Sequence, residues 1–379
     1  MGARITNVVI KDCDITGQRR VGGLVGWTLG NCSVENCSVT GTVNGTDYVG
    51  GLAGMMATSS TKNCYTECTV SGDDRVGGLA GSLSGSTENC YATGTVNGTD
   101  YVGGLAGRLS GNTENCYATG TVTGGGDSVG GLAGMLSGST KNCYATGAVG
   151  GGDRVGGLAG ELSGGSIESS YATGTVTGSG DAGGLVGMSS YTCTIAGTVA
   201  LNPSVSGTSA ANRVYNLDAI NSDSTVENSY AYSSMTVNGI TVTSDDATGL
   251  HGADLKTSSG NFPADFWTKL GFTAANGWTV PTVAGELPYL TGMPKRPELT
   301  AAQKAETHNY EVTILGGGDG ATADGEQELY TTVSLNAGTR SGCVFAGWTV
   351  ESGGVTLADA SSQSTSFTMS DKAVTIKAN

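Results

Sequence analysis

The sequence predicts a mostly β protein: a parallel β-solenoid of about eight coils, followed by a cap and a small strand-rich module. Three observations predict it. The leucine of a repeated VGGL phrase falls at Leu24, Leu52, Leu79, Leu105, Leu132, Leu158 and Leu185, at intervals of 26–28 residues, and a fixed period of this length marks units that stack on one another. Each copy is dense in glycine and β-branched residues and has no apolar stripe of helical period, which argues against helical repeats. The phrase NCYATGTV alternates between two kinds of side chain, as a strand with one buried face does.

Composition narrows the classes further. Of 379 residues, 65 are glycine and 6 proline, without the every-third-glycine period of collagen or the proline content of a disordered linker. The formal net charge is -15, from 18 basic and 33 acidic residues. Such a surface disfavours nucleic acid and anionic lipid as partners, and no apolar run reaches the ~18 residues that would insert in a membrane. The chain opens on MGARITNVVIKDCDITG, already inside a repeat-like phrase and without a signal-peptide pattern. The expectation is a fragment of a longer protein, with any export signal or wall anchor outside it.

Within one coil, Cys116, Ala118, Gly120 and Val122 fall on one side of a strand, and Tyr117, Thr119 and Thr121 on the other. The first set suits an interior and the second an outer face. Stacking predicts columns of equivalent residues. A cysteine column runs Cys13, Cys37, Cys64, Cys90, Cys116, Cys143, Ser170, Cys193, and an asparagine column runs Asn36, Asn63, Asn89, Asn115, Asn142. Stacked asparagines can hydrogen-bond from coil to coil. Just ahead, Lys62, Glu88, Glu114, Lys141 and Glu168 mix charges in a way that limits repulsion.

VGGLAG followed by NCYATGTV resembles the GLUG motif, a repeat of bacterial surface and secreted proteins that include immunoglobulin A-cleaving peptidases. The resemblance covers residues 1–200. It implies a right-handed parallel β-helix on the cell exterior, at the surface or wall of a bacterium, and it implies no activity.

Residues 201–293 read as a degenerate last rung, VENSYAYSSMTV, and an aromatic-rich cap containing Phe262, Phe266, Trp267, Phe272, Trp278 and Tyr289. A solenoid end exposes core and unpaired strand edge, so a cap is expected there. A short helix near 264–270 and a strand near 287–290 would supply it. MPKRPELT, within a linker at 294–307, carries two prolines. Residues 308–379 alternate as strands. FAGWTV and FTMSDKAVTIKA resemble the divergent InlB B-repeat domain of bacterial surface proteins, which implies a β-grasp-like stalk unit. Ser370 stands where that family usually has proline.

The search for chemistry yields little. His251 and His308 sit in no zinc pattern, and no nucleophile elbow, phosphate loop or dinucleotide fingerprint occurs. No catalytic, cofactor or metal residue is assigned, and no cofactor is expected. Side chains of the cysteine column point in parallel, so buried thiols fit better than disulfides. Aspartates ahead of each VGG, among them Asp47, Asp74 and Asp100, read as turn residues. The candidate ligand-contact face is a row of outward tyrosines, Tyr65, Tyr91, Tyr117, Tyr144 and Tyr171, which could bind a glycan or a host or cell-surface protein, or simply shield the sheet. The expected role is therefore a non-enzymatic adhesin or rigid stalk. Two alternatives stay open: a polysaccharide-cleaving β-helix enzyme using Asp73, Asp74, Arg75 and Arg154, or an accessory region that positions a peptidase domain elsewhere in the full-length protein.

Overall fold

The structure is a computed structural model that describes residues 2–217, 224–294, 296–323 and 325–379. The chain forms two compact units: one from Met1–Leu255, Trp267–Val280 and Pro288–Lys295, the other from Lys256–Phe266, Pro281–Leu287 and Arg296–Asn379.

The first unit is a parallel β-solenoid of about nine coils, one more than expected. Each coil contributes strands to four parallel strips. In the coil built on Leu79 these are Asp74–Gly77, Ala80–Leu83, Thr87–Glu88, and the pair Tyr91–Ala92 and Val96–Gly98. The strip containing Thr87–Glu88 has nine strands, from Arg4–Thr6 to Thr225–Glu227. Parallel stacking runs beyond residue 200, through Tyr230–Tyr232 to Ala253–Leu255.

Stacking is in register at the leucine, asparagine, charge and central cysteine columns. The leucines are joined backbone to backbone, Leu79 N–H donating to the Leu105 carbonyl at 2.8 Å and Leu105 to Leu132 at 2.8 Å, and the series continues through Val214 to Leu250. From Leu52 to Leu185 their side chains are at most 1% exposed. Aliphatic burial, worth about 25 cal/mol per Å² of apolar surface, thus recurs in every coil. The neighbouring Gly-Gly allows the sharp corner: a Cβ on Gly104 would lie 2.1 Å from the Gly131 carbonyl oxygen.

The asparagine column occupies the next corner. Asn7, Asn36, Asn63, Asn89, Asn115 and Asn142 all adopt the left-handed conformation, with φ between 51° and 58°. Asparagine tolerates that region better than other side chains. Its amide also bonds along the stack: Asn63 Nδ2 donates to Asn36 Oδ1 at 3.0 Å, and Asn89 Nδ2 to Asn63 Oδ1 at 3.2 Å.

Each cysteine that follows locks the same corner. Cys64 N–H donates to the Cys90 sulfur at 3.4 Å, while the Cys64 thiol donates to the Lys62 carbonyl at 3.2 Å. Cys90 repeats both contacts with Cys116 and Glu88, and Ser170 accepts from Cys143 N–H at 3.0 Å. All ten cysteines are free thiols, as the parallel geometry requires.

Two members of the expected column lie elsewhere. A bulge between Ile10 and Cys13 shifts the register, so Cys13 pairs with Gly41, and Val8 occupies the column position instead. Cys193 belongs to the preceding corner, where its N–H donates to Ser224 Oγ. Thr198, bonded to Ser229 at 3.0 Å, takes its expected place. The charge column is as read: Lys62 pairs with Glu88 in register, their side chains 2.6 Å apart, and Glu114 with Lys141.

The aromatic segment is placed differently from expectation. Its part within the first unit, which holds Trp267, Phe272, Trp278 and Tyr289, lies on the flank of the solenoid rather than across its end. The helix Phe266–Lys269 and the hairpin of Trp278–Thr279 with Tyr289–Leu290 bring Trp267, Phe272 and Trp278 against Tyr171. Of the expected linker, Lys295 lies outside the described residues, and Ala301–Ala305 form a helical turn with a capping box between Thr300 and Gln303.

In the second unit, four strands order as Gly325–Glu328, Asn309–Leu315, Val374–Ala378, Trp348–Ser352, with the central pair parallel. Thr332–Asn336 and Ser364–Thr368 form a second, antiparallel sheet. Val312, Leu335, Trp348, Phe367, Met369 and Ile376 share one core. Ser370 ties its turn by donating to the Gly353 carbonyl at 3.0 Å.

Asn89→Ala should destabilise the solenoid by about 1–2 kcal/mol, since it adds left-handed strain and breaks the amide ladder. Asn89→Gly should cost less, because glycine keeps the conformation. Chemical denaturation would check this; equal losses would show that the φ angle is not the constraint. Thiol titration gives a second check. At mildly alkaline pH the native chain should expose Cys343 quickly, while Cys64, Cys90 and Cys116 react only after denaturant, for ten thiols in all.

Candidate functional site

The five tyrosines sit at equivalent positions of one strip, Tyr65, Tyr91, Tyr117, Tyr144 and Tyr171 pairing in sequence. The coil repeat sets the ring spacing. Successive ring centroids are 4.9, 4.8, 4.7 and 5.2 Å apart, with planes within 6° of parallel. Those distances match the spacing of adjacent strands, so the rings form one continuous offset stack.

The stack is not uniformly open. Tyr117, Tyr144 and Tyr171 are fully buried, whereas Tyr65 and Tyr91 are half-buried. The flanking aromatic segment accounts for the far end. Trp278 lies 6.1 Å from Tyr144 and 6.0 Å from Tyr171, ring to ring. Tyr171 Oη donates to the Pro288 carbonyl at 2.6 Å. Trp278 Nε1 donates to Asn142 Oδ1 at 3.0 Å, and Asn142 Nδ2 donates to the Asn276 carbonyl at 2.9 Å. The asparagine column thus both locks a corner and anchors the covering segment. Only two of the five candidate contact residues, Tyr65 and Tyr91, keep an accessible ring.

Burial sets the charge state of the row. It pushes the Tyr91 phenol up to about 12 from an ordinary value of 10, with Tyr65 and Glu67 adding smaller repulsions. Tyr144 and Tyr171 are pushed higher still, mainly by burial. Tyr91, Tyr144 and Tyr171 are thus neutral phenols throughout the physiological range. The buried thiols behave alike: Cys68 is raised to about 12 chiefly by burial, and Cys90 and Cys116 well beyond their ordinary range.

Three of the four residues considered for catalysis, Asp74, Arg75 and Arg154, are engaged in ion pairs. Asp74 is held by Arg75, while Asp73 is exposed. Arg154 bonds Glu161 at 3.1 Å. Burial, and then Asp47 and Asp100 in register above and below, raise the Asp74 carboxyl against the opposing pull of Arg75. His251 accepts from Arg213 N–H in the first unit, and His308 meets Glu306 in the second. Among the described residues, no three His, Cys, Asp or Glu side chains gather in a metal-binding group, and no helix is long and apolar enough to cross a membrane. A feature that sequence reading missed is an alternation of arginine and tyrosine, Arg20, Tyr48, Arg75, Tyr101, at a single corner. Because two residue types share the position, no one-letter column reveals it.

Alkaline titration should separate the two halves of the row. Since folding raises these phenol pKa values, the stability they contribute is complete below about pH 10 and falls as pH rises towards 12. Absorbance of ionised tyrosine should therefore appear in two phases, the second coinciding with loss of the β-sheet circular dichroism signal. One smooth phase without unfolding would contradict the buried stack. Trp278→Ala should destabilise by about 3–5 kcal/mol and make Tyr144 reactive to nitration.

Comparison with known proteins gives two family matches and one similar solved structure. The GLUG motif matches residues 17–44, 72–97, 98–123 and 151–177, and the divergent InlB B-repeat domain matches residues 310–379. No curated protein matches the chain. Among solved structures, the chain is similar to a "putative immunoglobulin A1 protease" from Bacteroides ovatus, with 24% identity over 69% of this chain and 75% of that one and a TM-score of 0.44. The chain carries GLUG motif repeats in its solenoid and a divergent InlB B-repeat domain at its C-terminal end.

Proposed function

We propose that the chain is a non-enzymatic segment of a bacterial cell-surface or secreted protein, an adhesin or rigid stalk that presents a repeated face to a glycan or to a protein of a host or neighbouring cell. The in-register ladder carries this reading. One side chain per coil, at strand spacing, turns a weak contact into a row of like contacts, and linked weak contacts strengthen one another when they can engage together. Stacked repeats commonly bind through such extended surfaces. The GLUG and InlB B-repeat matches support an exported setting. Tyr65 and Tyr91 are the accessible part of the row, offering ring edges and hydroxyls. Pairing of Asp74 with Arg75 and of Arg154 with Glu161 favours a structural use of those residues over cleavage of a polysaccharide.

Incubating the full chain with a glycan and host-protein array should give retention without released product. The Tyr65→Ala/Tyr91→Ala variant should lose about tenfold in affinity. Release of shortened oligosaccharides would move the polysaccharide-cleaving reading ahead. Unchanged binding by the variant would make the tyrosine row purely structural.

A further inference from the structure

A second face of the solenoid combines cations with aromatic rings. Arg20, Tyr48, Arg75 and Tyr101 share one corner column, each in the left-handed conformation with φ between 51° and 57°. Their neighbours stack in register, Asp47 on Asp74 on Asp100 and Val49 on Val76 on Val102. An adjoining column runs Trp27, Met55, Ser82, Arg108. Glycines fuse the two columns into one surface, since a Cβ on Gly54, Gly81 or Gly107 would come within 2.7 Å of the Cα of Arg20, Tyr48 or Arg75 respectively.

The side chains on this surface hold each other. The Arg20 guanidinium lies 4.1 Å from the centre of the Trp27 ring, and Arg75 lies 4.8 Å from Tyr48 and 5.5 Å from Tyr101. Trp27 is still 44% exposed. Arg75 is neutralised by Asp74. Among the described residues, Arg20 and Arg108 form no ion pair, and Arg20 Nε is buried without a hydrogen-bond partner. Arg108 Nε reaches only Ser110 Oγ, at 3.1 Å. On a chain of net charge -15, two unpaired guanidinium groups therefore stand three coils apart, about 14 Å at strand spacing, with aromatic rings between them.

We infer that this surface binds an acidic polysaccharide, a chain of sugars bearing carboxylates at intervals. Guanidinium forks bind carboxylates with two parallel hydrogen bonds. Trp27, Tyr48 and Tyr101 present apolar ring faces with polar edges, which suit the C–H faces and hydroxyls of sugars. The sugar units of an extended glycan advance by a distance similar to the coil rise, so successive sugars meet successive rungs. The chain's net charge of -15 disfavours a nucleic-acid duplex, with one charge per ~1.7 Å of its axis, more strongly than a polymer with one carboxylate per sugar. This names the ligand class for the binding role proposed above and rests on the reading that the solenoid displays a binding face, although it uses a different face from Tyr65 and Tyr91.

Affinity electrophoresis of the full chain in gels containing polygalacturonate, dextran or poly-glutamate tests it. Polygalacturonate should retard the chain, with the retardation falling as salt rises, while dextran and poly-glutamate should not. Arg20→Gln/Arg108→Gln should weaken retardation at least about tenfold, and Trp27→Ala should weaken it separately, with both variants keeping the parent's circular dichroism spectrum. No retardation by polygalacturonate, equal retardation by poly-glutamate, or full retardation of the arginine variant would overturn the assignment. Binding on the array that depends only on Tyr65 and Tyr91 would overturn this assignment alone and leave the broader reading standing.

Discussion

Every residue in the solenoid must tolerate a copy of itself, or a chosen partner, about 4.8 Å above and below. Parallel in-register pairing imposes this, and the rest of the first unit follows from it. Leucine tolerates self-stacking because its neighbours exclude water together. Asparagine gains from it, since one amide can donate upward while accepting from below, as Asn36, Asn63 and Asn89 do. Cysteine gains in a weaker way, each sulfur accepting one N–H and each thiol donating to its own turn. Charges tolerate it only with a partner at hand: the Glu88 to Glu114 step is bracketed by Lys62 and Lys141, and in the Asp47–Asp74–Asp100 column Asp47 and Asp74 are paired with Arg19 and Arg75.

Aromatic rings obey the same rule. Five tyrosines at strand spacing make a stack whose apolar faces are mutually covered, but its flank would be a long apolar stripe. The chain covers part of that stripe with Trp267, Phe272 and Trp278 and leaves Tyr65 and Tyr91 accessible. The arginine–tyrosine corner solves a different problem. Alternating a cation with a ring avoids like-charge stacking and keeps the guanidinium groups ordered, so that binding an anion there would cost little side-chain entropy.

Period and columns were legible in the letters because self-stacking leaves one residue type at one spacing. That made the leucine, asparagine and central cysteine columns, and the parallel strands themselves, readable without coordinates. Where spacing varies, the reading slipped. Cys13 sits beyond a bulge, and Cys193 sits in a coil whose turn is longer, so alignment by letter assigned both to the wrong column. Coils beyond residue 200 lost their phrase while keeping their pairing: Val199 on Tyr230 stacks as well as Tyr144 on Tyr171. The covering of the tyrosines depends on residues more than a hundred positions away, through Trp278 and Asn142, and no local pattern encodes such a contact.

Distance measurement along one column tests the stacking most directly. Residues one position before the valine column, Thr42, Thr121, Thr175 and Ser204, lie on coils joined by successive in-register pairs. Spin labels placed at these sites through non-canonical residues, and read by pulsed dipolar spectroscopy, should give separations from Thr42 of about 14, 24 and 29 Å, rising linearly with the number of intervening coils. Separations that do not grow with coil number would contradict the account at its base.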